Sequence, residues 1–112
     1  MLVLDANILI RAVLGRRVLA LLVRYGSDVQ FFAPEPAFDE AREHLPAILS
    51  KRNVPATEGL EVLDSLSQIV QPIGADTYSA LEQMALQRLA GRDPEDWPVL
   101  AAPLALNCPI WT

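Results

Sequence analysis

Met1 to Leu4 is an unbroken apolar run that stops on Asp5. A strand with one wet face alternates apolar and polar residues. Four apolar residues in a row suit instead a strand covered on both faces, as in a parallel sheet flanked by helices. Asp5 then stands at the carboxyl end of that strand, the edge of an open α/β sheet where ligands and catalytic groups collect. Asp before a helix is also a good N-cap, because its side chain accepts an orphan backbone N–H. A carboxylate has two oxygens, so both readings can hold together. Ile8-Leu9-Ile10 starts the helix that packs back onto the sheet.

The rest of the chain repeats this alternation. Gly15-Arg16-Arg17 forms a joint, and Val18 to Arg24 reads as a second helix with Leu19, Leu22 and Val23 on one stripe, closing at Gly26. Val29 to Ala33 is β-branched and aromatic between Asp28 and Pro34, and is expected as a strand. Pro34-Glu35-Pro36 opens a helix through Leu45, which Pro46 should end or kink. Thr57 is the candidate cap of the next helix, whose stripe is Leu60, Leu63, Leu66 and Val70. Ile69 to Ile73 follows as a strand. A helix carrying Tyr78, Leu81, Ala85 and Leu89 runs to Gly91. Strand and helix in strict alternation predict a parallel sheet with crossovers.

Arg92-Asp93-Pro94-Glu95-Asp96-Trp97-Pro98 resembles a helix start, with Asp93 as N-cap, Pro94 at the first helical position and Asp96 close to a capping box. Three residues apart at a helix start, Asp93 and Asp96 also point to one side, where the helix dipole favours negative charge and a bound cation. Val99 to Leu106 continues the helix, with Pro103 expected to kink it. Asn107 ends it, and Cys108 to Thr112 begins a strand.

A chain of 112 residues that is 52% apolar is one globular domain, residues 1–112. No run approaches the ~20 apolar residues that span a bilayer, so no membrane association is expected. Met1 leads into a strand without a basic leader segment, and Cys108 is the single cysteine. Both features point to a cytoplasmic protein with no disulfide framework. The net charge of −5 opposes non-specific nucleic-acid binding through bulk charge, but its distribution is uneven. Residues 1–27 hold four arginines against Asp5, and the remaining chain holds thirteen acids against five bases. That pattern suits an enzyme that grips phosphates and holds metal, and equally suits solvated helix faces.

Leu2-Val3-Leu4-Asp5-Ala6-Asn7, Phe32-Ala33-Pro34-Glu35 with the acidic helix through Glu40, Asp93 to Ala101, and Pro109-Ile110-Trp111-Thr112 together resemble the PIN-domain family. The closest likeness is to short prokaryotic PIN proteins that act as ribonuclease toxins. The resemblance implies a three-layer α/β/α domain around a central parallel sheet. It also implies Mg²⁺ or Mn²⁺ held by acids at the carboxyl edge, for hydrolysis of RNA. Asp5, Glu40 and Asp96 match the family's catalytic, metal-holding acids, with Asp93 an accessory ligand. Asn7 and Thr112 match accessory polar positions. An antitoxin protein that blocks the acidic site is the implied partner. Arg11, Arg16 and Arg17 are candidate contacts to RNA phosphates.

On chemistry alone the resemblance is reasonable. Mg²⁺ takes hard oxygen ligands, usually one or two carboxylates with waters and phosphate oxygens. His44, the single histidine, is expected at a surface or helix end, and Trp97 and Trp111 in packing. The family usually has a further acid soon after the position of Thr112, and then a last strand. The chain is therefore expected to lack its last edge strand and to be open to homodimer formation through the exposed one. Two alternatives follow. One is a catalytically impaired PIN-like module that binds protein or RNA. The other is a phosphoryl-transfer domain with Asp5 as nucleophile, disfavoured because Asn7 stands where that chemistry wants a second acid.

Overall fold

A computed structural model describes residues 1–112. The chain runs β1 (Leu2–Leu4), α1 (Ala6–Leu14), α2 (Arg17–Tyr25), β2 (Phe31–Pro34), α3 (Glu35–Lys51), α4 (Ala56–Leu66) and β3 (Val70–Ile73). It continues through α5 (Ala75–Tyr78), α6 (Glu82–Arg88), α7 (Trp97–Leu106) and β4 (Ile110–Trp111). The four strands are all parallel, in the order β3-β2-β1-β4. β1 and β2 are therefore interior, which is why the first apolar run carries no polar residue: Val3 and Leu4 are fully buried.

Alternate strand residues face two different cores. Leu4, Phe31, Ala33 and Val70 pack with α1, α2, α3 and α4, around Ile8, Leu9, Leu45 and Leu63. Val3 and Ile73, with Phe32 beside them, pack with α5, α6 and α7 around Tyr78, Ala85, Ala101 and Ala102. The period-two alternation of a strand thus divides the sheet between two helical layers, and the expected three-layer α/β/α architecture holds.

Several local expectations are corrected. β2 starts at Phe31 rather than Val29, because the N–H of Val29 donates to Tyr25 O (2.8 Å) in the turn that closes α2. Val23 is 62% exposed, so the buried stripe of α2 is Leu22 with Val18 and Leu19 beside it. Pro46 does not end α3; the helix runs on to Lys51 with the proline inside it. The buried residues Ala37, Phe38, Ala41, Leu45 and Leu49 flank the proline on both sides and hold the helix together through burial. Pro103 lies within α7, which continues to Leu106 as expected.

Thr57 is not a cap, since α4 begins at Ala56 with Pro55 in the cap position and no side-chain bond there. The helix expected around Tyr78 to Leu89 is broken into α5, a 3₁₀ turn over Ser79–Leu81, and α6. Its stripe survives the break: Tyr78, Ala85 and Leu89 are all buried. No breaker residue marks the 3₁₀ turn in the sequence.

Asn107 ends α7 as expected, and the structure supplies the reason. It adopts the left-handed conformation (φ 51°, ψ 53°). Its own N–H donates to Leu104 O (3.4 Å) and that of Cys108 to Pro103 O (3.0 Å), the paired bonds of a Schellman motif. β4 follows at once and pairs with β1 through Val3↔Ile110 and Leu4↔Trp111. Tryptophan placement agrees with packing roles. Trp97 stacks edge-on against Tyr78 (5.5 Å, 61°), and Trp111 packs against the larger core.

Candidate active site

The strand order creates the site. From β1 the chain moves to β2 and β3 on one side, then returns to place β4 on the other side of β1. The helix that leaves β1 packs in one layer and the helix that leads into β4 packs in the other. Where connections diverge in this way, a crevice opens at the carboxyl ends of the strands. A cleft of about 620 Å³ lies there.

Three separate segments line it. Asp5, Ala6 and Asn7 come from the end of β1 and the start of α1; Asp39, Glu40, Glu43 and His44 from α3; Asp93, Glu95 and Asp96 from the turn before α7. Seven carboxylates therefore face one space with no Lys or Arg among the lining residues. Of the residues expected at the site, Asp5, Asn7, Glu40, Asp93 and Asp96 are brought together. Arg11, Arg16, Arg17 and Thr112 do not line the cleft. The arginines are exposed on α1 and at the start of α2. Thr112 follows β4, next to Trp111, whose carbonyl accepts from the N–H of Asp5 (3.3 Å).

The acids differ in how they are held. Asp5 is half-buried with extended backbone (φ −90°, ψ 176°), and its Oδ1 accepts from the N–H of Ile8 at 3.0 Å. Cap and cleft residue are thus one side chain, with Oδ2 free of any protein partner. Asp93 is also a cap: its Oδ1 accepts from Glu95 N–H (3.0 Å) at the start of the 3₁₀ turn Pro94–Asp96. Asp96 makes no side-chain cap bond, so the expected capping box does not form and its carboxylate stays available. Glu40 Oε1 lies 3.9 Å from His44 Nε2, one helical turn away.

Glu95 and His44 line the cleft without having been expected there, while Asp39 and Glu43, the alternatives to Glu40 on the acidic helix 35–43, line it beside Glu40. For His44 the signal was present in its i,i+4 spacing from Glu40. Behind the site, Tyr78 is 2% exposed, and its hydroxyl pKa is raised above 10.0 by burial and secondarily by the charge of Glu35.

As a donor set the cleft is almost entirely hard oxygen, with no thiol, and suits Mg²⁺ or Mn²⁺ better than a soft ion. No three His, Cys, Asp or Glu side chains converge at metal-ligand spacing. Hard divalent cations are commonly held by one or two carboxylates with water and phosphate completing the shell, and the acids of the cleft are donors of that type. No helix is long and apolar enough to cross a membrane. No curated protein matches the sequence. The family model described as the PIN domain matches residues 3–112, nearly the whole chain. The protein belongs to the PIN-domain family, whose members are in general nucleases.

Proposed function

We propose that this protein is a metal-dependent endoribonuclease of the toxin type, hydrolysing RNA phosphodiester bonds with Mg²⁺ or Mn²⁺. The observation that carries the reading is the meeting of Asp5, Glu40 and Asp96, from three distant segments, in one acidic cleft at the sheet's carboxyl edge. A polyanion cannot approach seven uncompensated carboxylates without a cation between them. When bound, a divalent cation supplies Lewis acidity to the phosphate and to an attacking water.

The chain's own residues do the remaining work. Asp5, fixed through Oδ1 by the cap, would help to hold the cation with the carboxylate oxygen the cap leaves free. Asp96, from the turn before α7, and Glu40, from α3, would supply further carboxylates, with Asp93 assisting beside Asp96. The Asn7 amide supplies a neutral N–H for a phosphate oxygen at the same edge. Arg11, Arg16 and Arg17 act away from the reacting bond, on RNA phosphates further along the strand. An antitoxin that covers the acidic cleft is the corresponding protein partner.

The test is incubation of a mixed RNA, and separately single-stranded DNA, with the chain in Mn²⁺ and in excess chelator. Internal RNA cleavage that requires Mn²⁺ is the expected result. A folded chain that binds Mn²⁺ but leaves RNA intact would move the reading to a PIN-fold binding module.

A further inference from the structure

α3 presents three acids to the cleft, Asp39, Glu40 and Glu43, and only Glu40 has an imidazole beside it. His44 lies one turn on, with Nε2 3.9 Å from Glu40 Oε1, and no other acid of the cleft has a basic side chain within 4.0 Å. Residues four apart on a helix share a face, so the contact is built into the helix. Among the lining residues only Asn7 and His44 carry a side-chain N–H.

We propose that His44 is a positioning residue that orients Glu40 and thereby selects it, rather than Asp39 or Glu43, as the cation ligand on α3. The inference rests on the divalent-cation reading above. A glutamate that is half exposed samples many rotamers, and each one other than the productive one weakens its contribution to a metal site. A donor on one carboxylate oxygen fixes the plane of the group and leaves the other oxygen for the ion. Carboxylates that ligate metals are commonly held by such outer partners. The gap of 3.9 Å exceeds a hydrogen bond, but both side chains are about half exposed (56% and 52%) and free to close it by rotation. Contacts of this kind tighten when the site fills. A neutral imidazole protonated at Nε2 suffices, so no change of charge is required.

The experiment is Mn²⁺ affinity of the whole chain, read from the loss of the free-ion electron paramagnetic resonance signal, with melting temperature measured in the same buffer. His44→Leu is expected to weaken Mn²⁺ binding by about 10-fold or more, the usual effect of removing an outer partner. Glu40→Gln weakens it at least as much, and Glu40→Gln/His44→Leu no further, because the histidine acts only through the glutamate. His44→Gln, which keeps an N–H at a similar reach, restores affinity to within about threefold of the wild type. Asp39→Asn and Glu43→Gln each weaken it less than Glu40→Gln, since they remove charge from the cleft but not the ligand. A merely structural histidine would lower the melting temperature without moving affinity. Unchanged affinity in His44→Leu, failure of His44→Gln to restore it, or a greater loss in Glu43→Gln than in Glu40→Gln would each overturn the proposal. If the wild type binds no Mn²⁺, the cation reading falls and takes this one with it. If the wild type binds and only the histidine effects are missing, this proposal falls alone.

Discussion

The N–H of Ile8 occupies one oxygen of Asp5, and this divides the effects of substituting it. Asn at an N-cap is about as good as Asp, so Asp5→Asn should leave the melting temperature close to wild type while removing the charge that faces the cleft. Asp5→Ala loses the cap as well and should cost about 0.5–2 kcal/mol of stability in denaturant titrations. Equal stability of the two variants would contradict the cap. Tyr78 gives a separate residue-scale prediction. With its folded pKa raised above 10.0, the unfolded chain releases this proton first as pH rises. Stability contributed by the neutral phenol is therefore fully present below pH 10.0 and lost as pH climbs from there through the higher folded value. Tyr78→Phe should show a shallower loss of stability than wild type above that pH, and identical profiles would contradict the assignment. At this scale the sequence was partly legible. Asp5 and Asp93 carried their cap chemistry openly. The freedom of Asp96 did not, because it depends on a 3₁₀ turn that replaces the first turn of the expected helix.

Helix packing holds α3 against α4 at closer range than pattern alone suggested. Gly59, in the middle of α4, is buried, and a Cβ there would overlap Leu49 Cδ1. Leu49 is itself buried in the larger core, so it has little room to swing aside. Gly59→Ala gains helix propensity of about 1 kcal/mol. Overpacking in a tight core costs about 1–3 kcal/mol, and we expect net destabilisation of about 1 kcal/mol. Adding Leu49→Ala should offset part of that loss, so that the double variant is less destabilised than the two single effects together. Strict additivity would mean that the two helices do not meet at this point. Arg42 and Asp64 also join α3 to α4 by an exposed ion pair, which contributes little beside this contact. Apolar periodicity revealed most elements, because strands buried on both faces and amphipathic helices leave distinct spacings. It failed at the 79–81 turn, and at Pro46 it did not show that the helix would run on, because burial on both sides of a local irregularity decides the outcome.

Across the whole molecule, the acidic cleft is a consequence of strand order. Asp5, Glu40 and Asp96 are separated by dozens of residues, and only the return of the chain to place β4 beside β1 brings their segments to one edge. That order is not readable from hydrophobic spacing, which gives parallel crossovers but not their sequence across the sheet. The family resemblance implied the three layers and the acids at the edge but no order of strands, which the structure supplies. The arginine-rich first quarter of the chain stayed outside the cleft because α1 turns away from the sheet edge after Asn7, leaving Arg11 on an exposed face. The most direct test of the account is the rate of Mn²⁺-dependent RNA cleavage by wild type, Asp5→Asn and Asp96→Asn, each checked for native melting. Asp5 and Asp96 belong to different walls of one site. Each variant alone is therefore expected to lose about 10²-fold or more in rate while remaining folded. Cleavage that persists in both variants would place the chemistry elsewhere on the molecule and contradict the account.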